Sequence, residues 1–315
     1  WYIEDYMIFQ TSKEEAFNQE LRNSLLESGI YVECTKGEAA PGQQEINVVF
    51  TDALNMADNH ILIKNAAKEI AFKHNRAASF MAKYNKEACG SSCHIHNSLF
   101  DKKTKKNIFA DSKDKHGMSK TFKSYVAGQI LFLRDLSIFL APNINSYKRF
   151  QEGSFAPTTA AWGIDNRTAG FRLAGHGSSI RIECRVPGAD VNPYLSFAAT
   201  LASGYLGMQH KIKPTDAFEG NAYNSDVTFP RSLPEALDAL EASKEVKELF
   251  GEKFILVFMA VKNLEFEQFN QIISFDIKNT SIVNFLSLGI SNIVPGPISK
   301  STVNVSGKFT PTMNL

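Results

Sequence analysis

Cysteine is scarce in this 315-residue sequence, and its scarcity limits the class of protein. The four cysteines are Cys34, Cys89, Cys93 and Cys184. So few thiols in a chain of this length argue against a disulfide-stapled scaffold and favour a reducing compartment. The sequence also lacks a membrane-length apolar run and a basic leader with a cleavage site. We therefore expect a cytoplasmic protein with no membrane partner.

An excess of charge of either sign is also missing. The chain has 34 Lys+Arg against 33 Asp+Glu, a formal net charge of +1. Nucleic-acid binding needs a basic excess gathered in one place, so we expect no nucleic-acid partner. A hydrophobic content of 43% argues against disorder and allows a sizeable core. The first residue is Trp1 rather than Met, which suggests a processed or truncated chain.

Several familiar motifs are absent. The sequence has no Gly-rich Walker loop and no G-x-G-x-x-G, so any nucleotide is expected to bind in another way. No serine lies in a nucleophile elbow, which argues against a Ser-His-Asp triad. The run from Cys89 to His96 reads C-x3-C-H-x-H, but its spacing differs from that of a zinc finger or ribbon. Strand alternation would also separate Cys93 from both histidines.

Helical and strand-like segments alternate along the chain. Predicted helices cover residues 14–27, 52–75, 118–141, 192–210, 233–249 and 253–275. Predicted strands cover residues 30–33, 45–50, 78–81, 93–100, 158–164, 168–173 and 179–186. Apolar helices and several short strands with polar motifs predict an α+β fold with an antiparallel sheet.

The segment IRIECRV alternates charged and apolar residues. Because side chains alternate across a strand, Arg181, Glu183 and Arg185 are expected on one face. Ile182 and Cys184 then face the core. The ordinary interpretation is a solvated strand face with mutual salt bridges. Two further segments favour a binding or catalytic face instead.

Both further segments are rich in potential metal ligands. In SSCHIHNSLF, the alternation places His94, His96 and Ser98 on one face. A lone histidine is usually structural, whereas two on one face, followed by a hydroxyl, are typical of ligand positions. In KGEAAPGQQEINVVF, Glu38 and Glu45 flank a Pro-Gly turn that can bring both carboxylates into one space.

These ligands and a group of nearby arginines predict one kind of chemistry. Carboxylates with an imidazole suit Mg²⁺ or Mn²⁺. Five arginines lie between positions 149 and 185: Arg149, Arg167, Arg172, Arg181 and Arg185. Guanidinium groups bind phosphate and carboxylate in a fixed bidentate geometry. Carboxylates for metals and arginines for oxyanions together predict phosphoryl transfer from a nucleotide.

Five runs of the sequence resemble the glutamine synthetase family, in the same order and at comparable spacing. They are KGEAAPGQQEIN, GSSCHIHNSL, NSYKRF, NRTAGFR and RIECRVPGADVNPYLSFAA. The resemblance covers roughly residues 1–275. WYIEDYMIF, GSSCHIHNSL and RFQEGSFAPT are similar to the branch that joins glutamate to amines other than ammonia.

The resemblance implies a fold and a reaction. The fold would be an antiparallel half-barrel sheet wrapped by helices, in a homo-oligomer. The enzyme would be a carbon–nitrogen ligase that uses glutamate, with ATP as co-substrate and Mg²⁺ or Mn²⁺ as cofactor. The nitrogen donor would be ammonia or, as we favour, another amine. Glutamate would attack the γ-phosphate of ATP through its γ-carboxylate, and the amine would displace phosphate from γ-glutamyl phosphate.

The resemblance also implies roles for residues at matching positions. The metal ligands would be Glu38 and Glu45 near the acceptor, and His94 and Glu183 beside the ATP phosphates. The ATP-binding residues would be His96, Ser98, Arg172 and Arg181. The glutamate-binding residues would be Gly90, Arg149, Arg167 and Arg185. Those with catalytic roles would be Arg167, Arg172 and Glu183.

The sequence departs from the family pattern first at positions expected to affect the choice of amine acceptor. Ammonia-using members place a glutamate before the Ala-Pro step, where this chain has Phe155. An aromatic residue there predicts a bulkier or less charged amine than ammonia. Cys89 stands where an asparagine usually precedes the Gly-Ser step, so it is a second specificity candidate. Gly177 and Ser178 replace the basic residue of the loop before the RIE strand.

Larger parts of the pattern are missing from the chain. It lacks the family's N-terminal β-grasp domain and the early strand that supplies two more metal-binding glutamates, and residues beyond 285 do not resemble the family. We therefore expect an N-terminally incomplete catalytic domain at residues 1–285 and an atypical tail at 286–315. The alternative is a catalytically incomplete or non-enzymatic scaffold that retains the fold.

Overall fold

A computed structural model describes residues 2–271, 302–309 and 312–314. The helices are α1 (Ile8–Ser12), α2 (Glu15–Glu27), α3 (Ala53–Lys73), α4 (Lys120–Leu140), α5 (Ile144–Tyr147), α6 (Pro193–Gln209), α7 (Leu233–Ala242), α8 (Lys244–Phe250) and α9 (Glu252–Asn270). The strands are β1 (Val32–Gly37), β2 (Gln43–Val48), β3 (Ala77–Ser79), β4 (Cys93–Phe100), β5 (Trp162–Ile164), β6 (Phe171–Ala174), β7 (Arg181–Cys184), β8 (Thr302–Phe309) and β9 (Thr312–Asn314).

The strands form a mixed sheet in the order β1-β2-β8-β4-β7-β6-β5. The pairs β1–β2, β4–β7 and β7–β6 are antiparallel, as the sequence predicts. β8 runs parallel to both β2 and β4, and β5 runs parallel to β6. The α+β class is confirmed, with antiparallel pairing in the strands that carry the predicted site.

Polar side chains cap the long helices where the sequence predicts their starts. The carboxylate of Asp52 accepts a hydrogen bond from the backbone N–H of Asn55. Asn192 caps α6 in the same way, with Pro193 in the first turn. Each cap satisfies backbone donors that have no partner inside the helix. Both helices therefore begin within one residue of the predicted position.

The predicted helix 233–249 is wrong as a single element. Ser243 has an extended backbone (φ −81°, ψ 114°), ends α7 and begins α8. Serine competes for backbone hydrogen bonds and favours helix ends over helix interiors. The predicted helix 253–275 corresponds to α9, and residues 272–275 lie outside the described residues.

The helices pack on one face of the sheet. Cys93 and Ile95 of β4 and Ile182 and Cys184 of β7 are buried in the core cluster on that face. Since successive side chains of a strand alternate, the intervening residues of the same strands face the other way. The apolar face holds the sheet to the helices and leaves the charged face for chemistry.

Most of the predicted tail at 286–315 lies outside the described residues. Its described parts form β8 and β9, and β8 pairs with β2 and β4 inside the sheet. The division of the chain at residue 285 remains a prediction. None of the described helices is long and apolar enough to cross a bilayer.

Candidate active site

A row of three side chains crosses the charged face of the sheet. His96 on β4 lies opposite Glu183 on β7, and Glu183 lies opposite Arg172 on β6. Directly opposed residues on neighbouring strands point to the same side and lie close together. The sheet register therefore places an imidazole, a carboxylate and a guanidinium side by side, as the alternation predicts.

Glu183 lies at the centre of this site and is fully buried. One carboxylate oxygen lies 3.1 Å from His94 Nδ1 and 2.9 Å from Arg185 Nη1, and the other lies 2.7 Å from Arg172 Nη1. Burial alone would raise the pKa of Glu183, but His94, His96 and Arg185 hold it well below its usual range. Glu183 is therefore a buried anion that two guanidinium groups and the imidazoles of His94 and His96 stabilise.

His96 has a defined tautomer. Arg181 Nε donates to His96 Nδ1 at 3.1 Å, and a guanidinium can only donate. The ring proton of a neutral His96 therefore lies on Nε2, which is 3.6 Å from the Glu183 carboxylate. Ser98 lies buried two positions further along β4.

Two arginines, Arg172 and Arg185, contact the Glu183 carboxylate, and Arg149 and Arg167 lie near Arg185. We refer to these four residues as the arginine cluster. Burial lowers the pKa of Arg185, and the positive charges of Arg172 and Arg167 lower it further. Arg149 is buried, and burial and the charge of Arg185 lower its pKa. So many guanidinium groups near one carboxylate leave an excess of positive charge that suits an oxyanion.

Arg149 connects this cluster to the loop after β7. Its Nη2 donates to the backbone carbonyls of Arg185, Val186 and Pro187. The Nε atoms of Arg149 and Arg185 are buried without a hydrogen-bond partner in the described part of the chain. A Cβ on Gly90 would lie 2.5 Å from Arg149 Cγ, so only glycine fits against this side chain. These contacts bring together Gly90, Arg149 and Arg185, three of the four residues predicted to bind glutamate.

The hairpin of β1 and β2 places two carboxylates in one space, as predicted. Glu38 lies just after β1, and its side chain hydrogen-bonds to that of Glu45 on β2. Burial raises the pKa of Glu38 to about 7, with the hydrogen bond and the charge of Glu45 as further causes and Lys36 opposing them. Two carboxylates that share a proton have negative charge to spare for a cation.

The predicted metal ligands form two separate pairs, Glu38 with Glu45 and His94 with Glu183. Within the part of the chain that the structure describes, no three His, Cys, Asp or Glu side chains meet closely enough to hold a metal ion. The donor types of Glu38 and Glu45 fit a hard divalent cation. His94 and Glu183 supply two further donors, although Arg172 and Arg185 already neutralise Glu183.

The rejected zinc motif separates in space. Cys93 faces the core, with its Sγ 4.0 Å from His60 Nδ1, whereas His94 and His96 face Glu183. The alternation argument against this motif is confirmed. Cys89 is half-buried, and burial raises its thiol pKa, with the charge of Glu38 as a lesser cause.

Four contacts in and around the site do not follow from the sequence motifs. Asp165 accepts from Arg172 Nε at 2.7 Å. Gln43 Nε2 donates to the carbonyl of Gly90 at 3.1 Å. Lys36 Nζ lies 3.2 Å from Glu38 and 2.9 Å from Asp5. Of these residues, only Gln43 could have been found from the sequence, because it lies two positions before Glu45 and so on the same face of the strand.

A mixed sheet with helices on one face and carboxylates, histidines and arginines on the other defines an α+β domain with a charged site on its sheet. The sequence-family model of the glutamine synthetase catalytic domain matches residues 3–278 of this chain. This chain belongs to that family.

Individual relatives show the same similarity. The chain is 42% identical over 270 residues to γ-glutamylethanolamide synthetase GlnA4 of Streptomyces coelicolor, covering 85% of this chain and 57% of that protein. It is 39% identical over 274 residues to a glutamate–isopropylamine ligase of a Pseudomonas species, covering 85% of this chain and 60% of that one. A solved complex of GmaS with ADP superposes with a TM-score of 0.78 at 27% identity, covering 87% of this chain and 65% of that one.

Proposed function

We propose that this chain is the catalytic portion of an ATP-dependent ligase that joins an amine to the γ-carboxylate of glutamate. The observation that carries the proposal is the arginine cluster, two members of which hold the buried Glu183 carboxylate. The Glu38–Glu45 carboxylate pair supports it. The relatives named for ethanolamide and isopropylamine products support an amine other than ammonia as acceptor. Phe155, where ammonia-using members have a glutamate, supports the same choice.

The proposed chemistry has two balanced steps. A γ-carboxylate oxygen of glutamate attacks the γ-phosphorus of ATP, and the bond to the ADP oxygen breaks. The amine nitrogen then attacks the acyl carbon of γ-glutamyl phosphate, the bond to the phosphate oxygen breaks, and the nitrogen loses a proton. The first step brings two negative groups together, and the second develops negative charge on the acyl oxygen and on the departing phosphate. A site rich in fixed positive charge therefore lowers both barriers.

The residues of this chain would divide the work by charge. Arg149, Arg167 and Arg185 would hold glutamate through its carboxylates, with Gly90 giving the ligand close access to the backbone. Arg172 and Arg181 would bind the ATP phosphates, beside His96 and Ser98. Because Arg172 is held by both Glu183 and Asp165, its guanidinium is already oriented before a phosphate arrives.

A divalent cation, Mg²⁺ or Mn²⁺, would neutralise charge on the reacting phosphate and carboxylate groups when bound. Glu38 and Glu45 would hold one ion, and His94 and Glu183 a second. The paired carboxylates of Glu38 and Glu45 would lose their shared proton as they bind it.

Heavy-oxygen labelling tests the proposal directly. We would incubate the chain with ATP, Mg²⁺, ethanolamine or isopropylamine, and glutamate labelled at its γ-carboxylate. Mass spectrometry should find one labelled oxygen in the released phosphate and the γ-glutamyl amide in solution. Glu183→Gln should abolish both, while Glu15→Gln, on an exposed ion pair of α2, should leave both unchanged. Unlabelled phosphate, or no glutamate-dependent phosphate from the unmodified chain, contradicts the proposal.

The alternative is a non-enzymatic scaffold that retains the fold. The observation in its favour is that no three potential ligands meet in the described residues. Calorimetric titration with a non-hydrolysable ATP analogue separates the two functions. Binding that requires Mg²⁺ supports the ligase, and no binding with or without the metal supports the scaffold.

A further inference from the structure

The loop 151–157, which connects Phe150 to Thr158, borders the arginine cluster. Ser154 of the loop donates through its Oγ to the backbone carbonyl of Arg149, a member of the cluster, at 3.0 Å. The loop therefore lies beside the arginine cluster.

The tip of this loop is exposed and strained. Phe155 is 66% exposed, and its φ of 62° lies in the left-handed region. A non-glycine residue in that region costs about 1–2 kcal/mol. An aromatic side chain in this backbone conformation persists only if other contacts fix the loop.

One residue from outside the loop contacts both of its ends. Arg231 Nη1 donates to the carbonyl oxygen of Thr158 at 3.1 Å, and Arg231 Nη2 donates to that of Phe150. The guanidinium carbon also lies 6.0 Å from the centre of the Phe150 ring. A single planar group thus bridges the residues immediately before and after the loop.

Arg231 is itself fixed at the start of α7. Its backbone N–H donates to the Glu235 carboxylate at 2.8 Å. Phe150 packs edge-to-face on Phe229 at 5.0 Å, so the segment before α7 holds the loop by two kinds of contact. The guanidinium fork suits this bridge, because two of its nitrogens can donate in different directions while a lysine offers one point charge.

We propose that Arg231 is a positioning residue that fixes both ends of the loop 151–157 and so keeps this loop beside the arginine cluster. The effect of the loop on the reaction rests on the proposed function, whereas the effect of Arg231 on the loop does not. A fixed loop excludes water from γ-glutamyl phosphate until the amine arrives. In a loosened loop, a water oxygen attacks the acyl carbon and the bond to the phosphate oxygen breaks. The net result is ATP hydrolysis with glutamate regenerated.

The test compares Arg231→Lys with Arg134→Lys, an exposed arginine on α4 that serves as control. Hydrogen exchange should become faster in the loop 151–157 of Arg231→Lys alone, with the rest of the chain unchanged. The ratio of phosphate released to amide formed should rise by about tenfold, as expected when a hydrogen bond from a charged donor is lost. Added guanidinium ion should lower that ratio in Arg231→Ala.

Each outcome has one meaning. If loop exchange is unchanged in Arg231→Lys, the positioning role is wrong, whatever the activity. If exchange rises but the ratio of phosphate to amide stays at the control value, Arg231 holds the loop without protecting the intermediate, and the proposal is overturned in that form. If the unmodified chain releases no glutamate-dependent phosphate, the proposed function fails, and the exchange experiment still decides whether Arg231 fixes the loop.

Discussion

At the scale of single residues, two charged groups in and around the site are each held by more than one partner. Arg172 contacts both Glu183 and Asp165, and Lys36 contacts both Glu38 and Asp5. A charge with two partners loses less orientation when a ligand displaces one of them. Asp165 has a φ of 48°, a conformation that aspartate tolerates better than most residues, which places its carboxylate beside Arg172.

A charged pair outside the site gives a prediction for stability against pH. Asp114 forms an ion pair with Lys123 and accepts from the backbone N–H of His116 at 3.0 Å. The hydrogen bond from Lys123 is the largest cause that lowers the pKa of Asp114 to about 2. A carboxylate whose pKa is lower in the folded state stabilises the fold above its unfolded pKa of about 3.9. That contribution is lost as pH falls towards 2.

We expect Lys123→Met to lower the melting temperature at pH 7 and to flatten its decline between about pH 4 and 2. Circular dichroism melts across this pH range measure both effects. Lys120→Met, also in the first turn of α4, controls for the loss of a positive charge near the helix N-terminus. If the melting temperatures of Lys123→Met and of the unmodified chain fall equally between pH 4 and 2, this role for the pair is contradicted.

At the scale of elements, helices α4 and α6 approach each other through glycine. A Cβ on Gly207 would lie 2.2 Å from the carbonyl oxygen of Ser124 and 2.6 Å from the Cα of Gly128. A Cβ on Gly204 would lie 2.1 Å from the ring of Tyr125. Because backbone atoms cannot rotate away as side chains do, these glycines set the distance between the two helices.

Gly207→Ala should therefore destabilise the protein, although glycine-to-alanine changes at exposed helix positions stabilise by up to about 1 kcal/mol. Overpacking of a closely fitted core costs about 1–3 kcal/mol, so the sign should reverse. Urea denaturation measures the difference in unfolding free energy. Tyr205→Ala, at an exposed position of the same helix, should change it by much less. A gain in stability for Gly207→Ala would mean that the helices can move apart at no cost.

At the scale of the whole molecule, helices α2 to α9 share one large core. Buried apolar residues from Phe17 on α2 to Ile255 on α9 form a single cluster. Trp162 on β5 belongs to this cluster and donates through its indole N–H to the carbonyl of Thr215 at 2.9 Å. A contiguous core couples the elements that pack on it, so they should lose structure together.

We expect one unfolding transition in urea, with the same midpoint by far-ultraviolet circular dichroism and by tryptophan fluorescence. Trp1→Phe leaves Trp162 as the only tryptophan, so the fluorescence then reports the site end of the sheet. Coincident midpoints indicate that the sheet and helices unfold as a unit. An earlier fluorescence transition would show that β5 and β6 separate from the rest of the core.

Local patterns in the sequence determined much of this protein. Alternation assigned Arg181, Glu183 and Arg185 to one face, because side-chain direction in a strand depends only on parity. Asp52 and Asn192 fixed helix starts, because a cap acts over three residues. The ordered motifs indicated the family. The break at Ser243 was missed because one polar residue in an apolar helical pattern has little effect on its period.

Only the tertiary structure decided which distant side chains meet. Arg231 spans both ends of the loop 151–157, and Asp5 reaches Lys36, although nothing in the local sequence pairs them. Such contacts depend on how loops close and on how helices and sheet pack, which hydrophobic period does not encode. The sequence determined the residue types and the faces of the site. Packing decided that two of its arginines, Arg172 and Arg185, meet one buried carboxylate and that a single guanidinium holds the loop nearby.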